Sequence, residues 1–238
     1  MKTLLIIQTG SKLPSLSHIP GDFADWILAP MDLSAIEPLI AAVHKGEALP
    51  DWPNISGTII TGSPAMVTDH SPWIEQTAAW LKIAVERHIP TLGICFGHQL
   101  LAYTMGGEVT DNPQGIEVGT VISQRSHASQ TDPLMQDLPM ALHVQASHRQ
   151  TVIKPPPDAI CLSASPQDDN HSFRMGECAW GLQFHPEFSA AIVAHYVQHY
   201  RPLLEAQGTN VDAIEKRCID SDVGSLLLQR FAAYVSAA

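Results

Sequence analysis

Short apolar runs alternate with segments of helical spacing through the first half of the chain. Residues 3–8, 57–61 and 91–94 each read as a buried strand. Between them, residues 22 to about 36 carry a helical pattern with a weak point at Pro30. Ser71-Pro72 opens a stronger helix, with Ile74, Ala78, Leu81 and Val85 on one face and His88-Ile89-Pro90 as its stop. Residues 97–105 predict a further helix, closed by Gly106-Gly107. This alternation predicts a parallel sheet with helices on its faces. After Gly107 strands dominate, at 118–123, 142–146, 160–164, 172–175 and 179–185, and the sheet is expected to turn partly antiparallel. From about residue 190 to 238 the pattern is helical again, with breaks near Gly208 and 220–224. The expected architecture is α/β: an open mixed, mainly parallel sheet in one domain over 1–238, with a helical C-terminal extension at about 190–238.

Composition narrows the functional classes. With 45% hydrophobic and 16% charged residues among 238, the chain can bury a sizeable core. A formal net charge of −11 repels phosphate and argues against nucleic acid as a partner. The four cysteines, Cys95, Cys161, Cys178 and Cys218, form no CxxC pair, so neither a zinc cage nor a disulfide framework is expected. The apolar start is ended by Gln8 and Gly10, too early for a secretory h-region, and no run approaches a membrane span. The expectation is a cytoplasmic protein with mostly free thiols and no membrane contact.

The chemistry concentrates in Gly93-Ile94-Cys95-Phe96-Gly97-His98-Gln99. A strand runs into Cys95, a helix leaves it, and a glycine two residues to either side permits a tight turn. Such an elbow holds a nucleophile clear of the backbone at a helix N-terminus, where free N–H groups favour thiolate. The Phe96 N–H is placed to donate to an oxyanion. On this motif alone, an inert cysteine between helix-packing glycines is an equal alternative.

A second motif, Gly181-Leu182-Gln183-Phe184-His185-Pro186-Glu187, ends an apolar strand downstream. A thiol nucleophile needs a base that can also return a proton, which suits His185. Residues two apart in extended chain point the same way, so Glu187 is placed to orient that ring. Ordinary surface histidine and glutamate at a strand end are the competing reading.

Together, Gly-Ile-Cys-Phe-Gly-His-Gln-Leu and Gln-Phe-His-Pro-Glu resemble the class I glutamine amidotransferases, such as the glutaminase domain of GMP synthetase, over about residues 3–190. The resemblance implies a flavodoxin-like sheet and a Cys95–His185–Glu187 triad that attacks the side-chain amide of glutamine. It implies an oxyanion loop at Thr61-Gly62-Ser63-Pro64, with Gly62 as donor. Ser63 replaces the family's usual second glycine, which is closer to stand-alone members. Gln99, one helical turn past Cys95, and the Ser147-His148 segment are implied to bind substrate. For Gln99 the alternative is a helix residue hydrogen-bonded in the core. No metal and no organic cofactor is implied.

The ammonia acceptor is not written in the sequence. There is no phosphate-binding Gly-x-x-x-x-Gly-Lys motif. The residues after His-Pro-Glu are too few for a synthetase domain, so a separate acceptor subunit is one expectation. Hydrolysis of γ-glutamyl peptides with no acceptor is another, and a non-catalytic, partner-binding member of the fold is a third. His195 and His199 stand four apart on a predicted helix without a third ligand, and are read as solvent-facing. His98 is expected to point away from Cys95, and Cys161, Cys178 and Cys218 to be core thiols. Trp73 and Trp80 read as packing. The oligomeric state is not legible.

Overall fold

The computed structural model describes residues 2–237. In chain order its elements are β1 (Lys2–Gln8), α1 (Phe23–Leu28), β2 (Ile36–Ala42), β3 (Ile55–Ile60), α2 (Pro72–Glu86), β4 (Thr91–Ile94) and α3 (Phe96–Thr104). There follow β5 (Glu108–Asp111), β6 (Glu117–Arg125), β7 (Ala141–His148), β8 (Gln150–Lys154), β9 (Ile160–Ser165), β10 (Asp168–Met175) and β11 (Ala179–Leu182). The chain closes with α4 (Ala190–His199), α5 (Arg201–Ala206), α6 (Val211–Glu215) and α7 (Val223–Ala237).

Among the described residues, nine strands form one mixed sheet in the order β2-β1-β3-β4-β11-β10-β9-β6-β7, and β5 pairs with β8 in a small second sheet. The five strands from β2 to β11 run parallel, and the remaining four join antiparallel. The α/β architecture expected from the sequence is therefore the one observed. Alternation along β1 builds both faces of the core. Leu4 and Ile6 pack with Ile59, Trp180 and Phe231 on one side, whereas Leu5 and Ile7 pack with Ile60, Ile74 and Phe96 on the other. Each such side chain contributes roughly 1.5–3 kcal/mol by burial. The C-terminal helix α7 covers the first face: Leu227, Leu228, Phe231 and Val235 are fully buried in the same cluster as β1.

Two expectations change. The helix predicted over 22–36 is only the short α1, and residues 36–42 form β2 instead. Asp22 caps α1, accepting from Phe23 N, while Asp25 accepts from Asp22 N in a capping box. Pro30 follows within two residues of its end. Pro38 is tolerated in β2 because this strand is at the sheet edge, where its missing N–H leaves no ladder bond unmade. The strand predicted to reach His185 stops at Leu182. Beyond it Gln183 N donates to His171 O (3.0 Å) and His185 N to Gln145 O (2.7 Å), so the chain leaves the β4 ladder just before the histidine.

Candidate active site

Strand β4 lies between β3 and β11, all parallel, so its carboxyl end opens at the centre of the sheet. Cys95 follows it directly, with its N–H on Leu182 O (2.7 Å) and its carbonyl accepting the first helical bond from Gln99 N (3.1 Å). Its backbone is strained, at φ 51° and ψ −102°. The neighbouring glycines make this elbow possible by close approach. A Cβ on Gly93 would meet Gly97 O at 2.3 Å, and one on Gly97 would meet Ile60 O at 2.4 Å. The sulfur lies 3.7 Å from Ser147 O. Phe96 begins α3, so its N–H is among the donors that a helix start leaves free.

His185 and Glu187 come together at this elbow. His185 Nδ1 is 2.7 Å from Glu187 Oε1, with both side chains buried. The imidazole stacks on Phe188 at 3.9 Å and 9°. Burial alone would lower the His185 pKa, but the Glu187 charge, then the charge and hydrogen bond of the Cys95 sulfur, push it up to about 10. The site thus favours the charged imidazolium of His185. The second carboxylate oxygen of Glu187 is buried without a protein partner.

The loop at Gly62 packs against the other edge of the ring: a Cβ there would sit 2.7 Å from His185 Cε1. Thr9 Oγ1 donates to Thr61 O (2.9 Å) and Gly62 O (3.0 Å), and Ser63 Oγ donates to Thr9 O (2.7 Å). Because these peptides are trans, the N–H groups of Gly62 and Ser63 are turned away from Thr9. Ser63 is thereby a structural part of the loop, fastened to the end of β1.

The other residues singled out in the sequence divide in two. Ser147 borders Cys95, and its buried hydroxyl has no protein partner. Gln99 is buried, and its amide nitrogen donates to Gln150 O (2.8 Å) and Gln183 Oε1 (3.0 Å), the core arrangement weighed for it. The His148 ring is also turned inward, with Nδ1 2.9 Å from Gln150 O and Nε2 2.9 Å from Glu117 Oε2. Only the backbone of His148 is left to face a substrate. His98 is fully buried against Phe173 and Gly181, where burial, then the charges of His171 and His148, lower its pKa to about 3. His199 is exposed on α4, while His195 is half-buried with Nδ1 2.8 Å from Ala191 O. Among the other thiols Cys178 is buried, and Cys161 and Cys218 are partly exposed rather than core.

Sequence reasoning missed three contributors: Gln145, whose carbonyl holds His185 N; Gln183, the partner of Gln99; and Glu117, the partner of His148. Gln183 stands two residues before His185, so its motif carried a signal. Glu117 and Gln145 had none, since only the β6–β7 pairing brings them here. Among the described residues, Glu117, His148 and His171 are the one group with ligand atoms close enough for a metal ion.

A strained cysteine elbow thus stands at the centre of a mixed α/β sheet, beside a buried His–Glu pair. The chain belongs to the glutamine amidotransferase class-I family, whose sequence model matches residues 40–196. A glutamine amidotransferase-like protein of Schizosaccharomyces pombe is 29% identical over 153 residues, 63% of this chain and 60% of that protein. The glutamine-hydrolyzing GMP synthase of Aeropyrum pernix is 30% identical over 154 residues, 65% of this chain but 28% of that enzyme. The chain therefore matches less than two thirds of either relative. Among solved structures, a glutamine amidotransferase from Thermotoga maritima superposes with a TM-score of 0.77 at 21% identity, covering 100% of this chain and 99% of that one. One from Methylobacillus flagellatus gives 0.70 at 27% identity, covering 100% and 93%. No described helix is long and apolar enough to cross a membrane.

Proposed function

We propose that this chain hydrolyses the side-chain amide of glutamine through a γ-glutamyl thioester on Cys95, giving glutamate and ammonia. The observation that carries this reading is the elbow at Cys95 meeting a His185 ring held by Glu187 at 2.7 Å. The Cys95 thiolate attacks the amide carbon, forming a C–S bond. The N–H groups of Phe96 and Gly62 receive the developing oxyanion, at about 3 kcal/mol per donor. His185 passes its proton to the nitrogen as the C–N bond breaks and ammonia leaves. It then takes a proton from water, whose oxygen attacks the thioester; the C–S bond breaks, glutamate leaves, and the thiolate and the protonated His185 are restored. Glu187 keeps the ring in one tautomer throughout. The free hydroxyl of Ser147 and the backbone of His148 frame the amino-acid end of the substrate, and Gln99 supports the floor beneath them. Four free cysteines fit a reducing compartment such as the cytoplasm.

A second reading keeps the same thioester but takes γ-glutamyl peptides, with no ammonia acceptor, since one triad serves both reactions. If the first holds, the ammonia passes to an acceptor site outside the described residues, and a separate synthetase subunit is one candidate for it. Purified protein is assayed with glutamine for ammonia and with γ-glutamyl dipeptides for amino-acid release, alongside Cys95→Ala. Ammonia from glutamine, lost in Cys95→Ala, supports the first reading. Amino-acid release without ammonia supports the second. Turnover that survives in Cys95→Ala refutes both.

A further inference from the structure

Strand β7 is the outermost of the main sheet, yet it touches both reacting residues. Gln145 O accepts from His185 N at 2.7 Å, and Ser147 O lies 3.7 Å from the Cys95 sulfur. Carbonyls two apart on an extended strand point to the same edge, so a single strand sets the distance between nucleophile and base. Whatever fixes the end of β7 therefore fixes that distance.

The end of β7 is held by a buried polar cluster that the hydrolysis itself does not use. Glu117 on β6 pairs across the ladder with His148. Its Oε2 lies 2.9 Å from His148 Nε2 and 3.1 Å from His171 Nε2 on β10, and its Oε1 accepts from Ser165 Oγ on β9 at 2.6 Å. His171 Nδ1 faces Ser123 Oγ on β6 at 2.9 Å. The other nitrogen of His148 faces Gln150 O, the carbonyl that also accepts from Gln99 on α3. Both His148 nitrogens thus face acceptors, and a neutral imidazole has only one N–H. The ring must be an imidazolium to make both bonds.

We propose that Glu117 is a positioning residue: by holding His148 as a buried imidazolium it locks the end of β7 and, through the carbonyls of Gln145 and Ser147, the spacing of Cys95 and His185. This deepens the hydrolytic reading above and rests on it. The electrostatics agree. Burial works against charge on both partners, yet the two histidines hold Glu117 well below the usual carboxylate range. For His148, burial is outweighed by Glu117, with Asp168 and Cys95 adding to the rise. The other groups facing the pair are His171 and the neutral His98. The arrangement leaves His148 no lone pair for a metal ion, so the cluster acts as a salt bridge rather than a metal site.

The test is Glu117→Gln, which keeps the shape and removes the charge, with Glu117→Asp as the conservative variant. Three readouts are taken: kcat and KM on whichever γ-glutamyl amide the wild type turns over; the pH profile of Cys95 alkylation by iodoacetamide, followed on the Cys95 peptide by mass spectrometry; and the NMR titration of His148. In wild type His148 stays protonated above the pH at which a free imidazole loses its charge. In Glu117→Gln burial is no longer outweighed, so His148 titrates below its ordinary value, and kcat falls about 10- to 100-fold with KM changed less than about threefold. Activity and alkylation relative to wild type at the same pH then rise as the pH falls through that lowered titration, where His148 is recharged. Glu117→Asp restores part of kcat. A folded Glu117→Gln with wild-type kcat and alkylation profile overturns the proposal, as does a loss that is uniform with pH. If neither variant folds, a wild-type His148 that is neutral at about pH 7 overturns it, and one that is charged supports it. One equivalent of zinc bound by wild type and not by Glu117→Gln overturns it in favour of a metal site. Absence of turnover in wild type would refute the hydrolytic reading alone, since alkylation and NMR still decide the role of Glu117.

Discussion

Replacing Gly62 by alanine tests whether the position of the His185 ring governs the chemistry. The backbone of Gly62 is outside the left-handed region, so alanine adds no conformational strain and its effect is one of contact. The added Cβ would sit 2.7 Å from His185 Cε1, where ordinary van der Waals contact begins at 3.4 Å. The ring must therefore withdraw by at least about 0.7 Å. It has little freedom to do so, stacked on Phe188 at 3.9 Å and bonded to Glu187 at 2.7 Å. A displacement of about 1 Å at a reacting group costs about 100-fold, or about 3 kcal/mol of transition-state stabilisation. The overpacked loop loses a further 1–3 kcal/mol or so of fold stability. The assay is single-turnover acylation of Cys95 together with steady-state kcat, on protein whose melting temperature shows it to be folded at the assay temperature. Acylation should slow by about two orders of magnitude while Cys95 remains accessible to iodoacetamide. A folded Gly62→Ala with kcat within about twofold of wild type would refute the reasoning, because the ring would then have room that the structure denies it.

Glu187→Gln keeps an acceptor for His185 Nδ1 but removes the charge, and should lower kcat by about 10- to 100-fold, the range of a buried charge-assisted bond. The same variant has a defined pH signature. The His185 pKa is raised in the fold, so its contribution to stability is full below about 6.5 and is lost as pH rises through about 10. Without the Glu187 charge that loss occurs at lower pH, as thermal melts between these limits will show; coincident curves for the two proteins would contradict it. Away from the site, Asp132 is buried and accepts from Arg174 Nε (2.9 Å), Trp180 Nε1 (3.1 Å) and Leu134 N (3.0 Å). Asp132→Ala should cost about 3–5 kcal/mol in urea unfolding, and a loss below about 1 kcal/mol would show that these bonds are replaced by water.

What the sequence by itself determined is local. The apolar run 3–8, the Ser71-Pro72 helix start and the Gly-x-Cys-x-Gly turn follow from propensity, capping and steric fit over a few residues, and all appear close to their predicted places. The two motifs carried Cys95, His185 and Glu187 because each motif is contiguous. Where local signals conflicted, the reading failed. Residues 36–42 carry Pro38 and no alternating pattern that would mark a strand, and only pairing with β1 makes them one. Strands β5 and β8 likewise exist through each other. Tertiary structure alone decided that Gln145 and Ser147 reach across to His185 and Cys95, and that Glu117 and His171 enclose His148. Those partners are tens of residues apart, and no periodicity along one segment encodes which strand it will pair with or in what register. Their charge states also depend on the fold, because burial removes the water that would otherwise screen them.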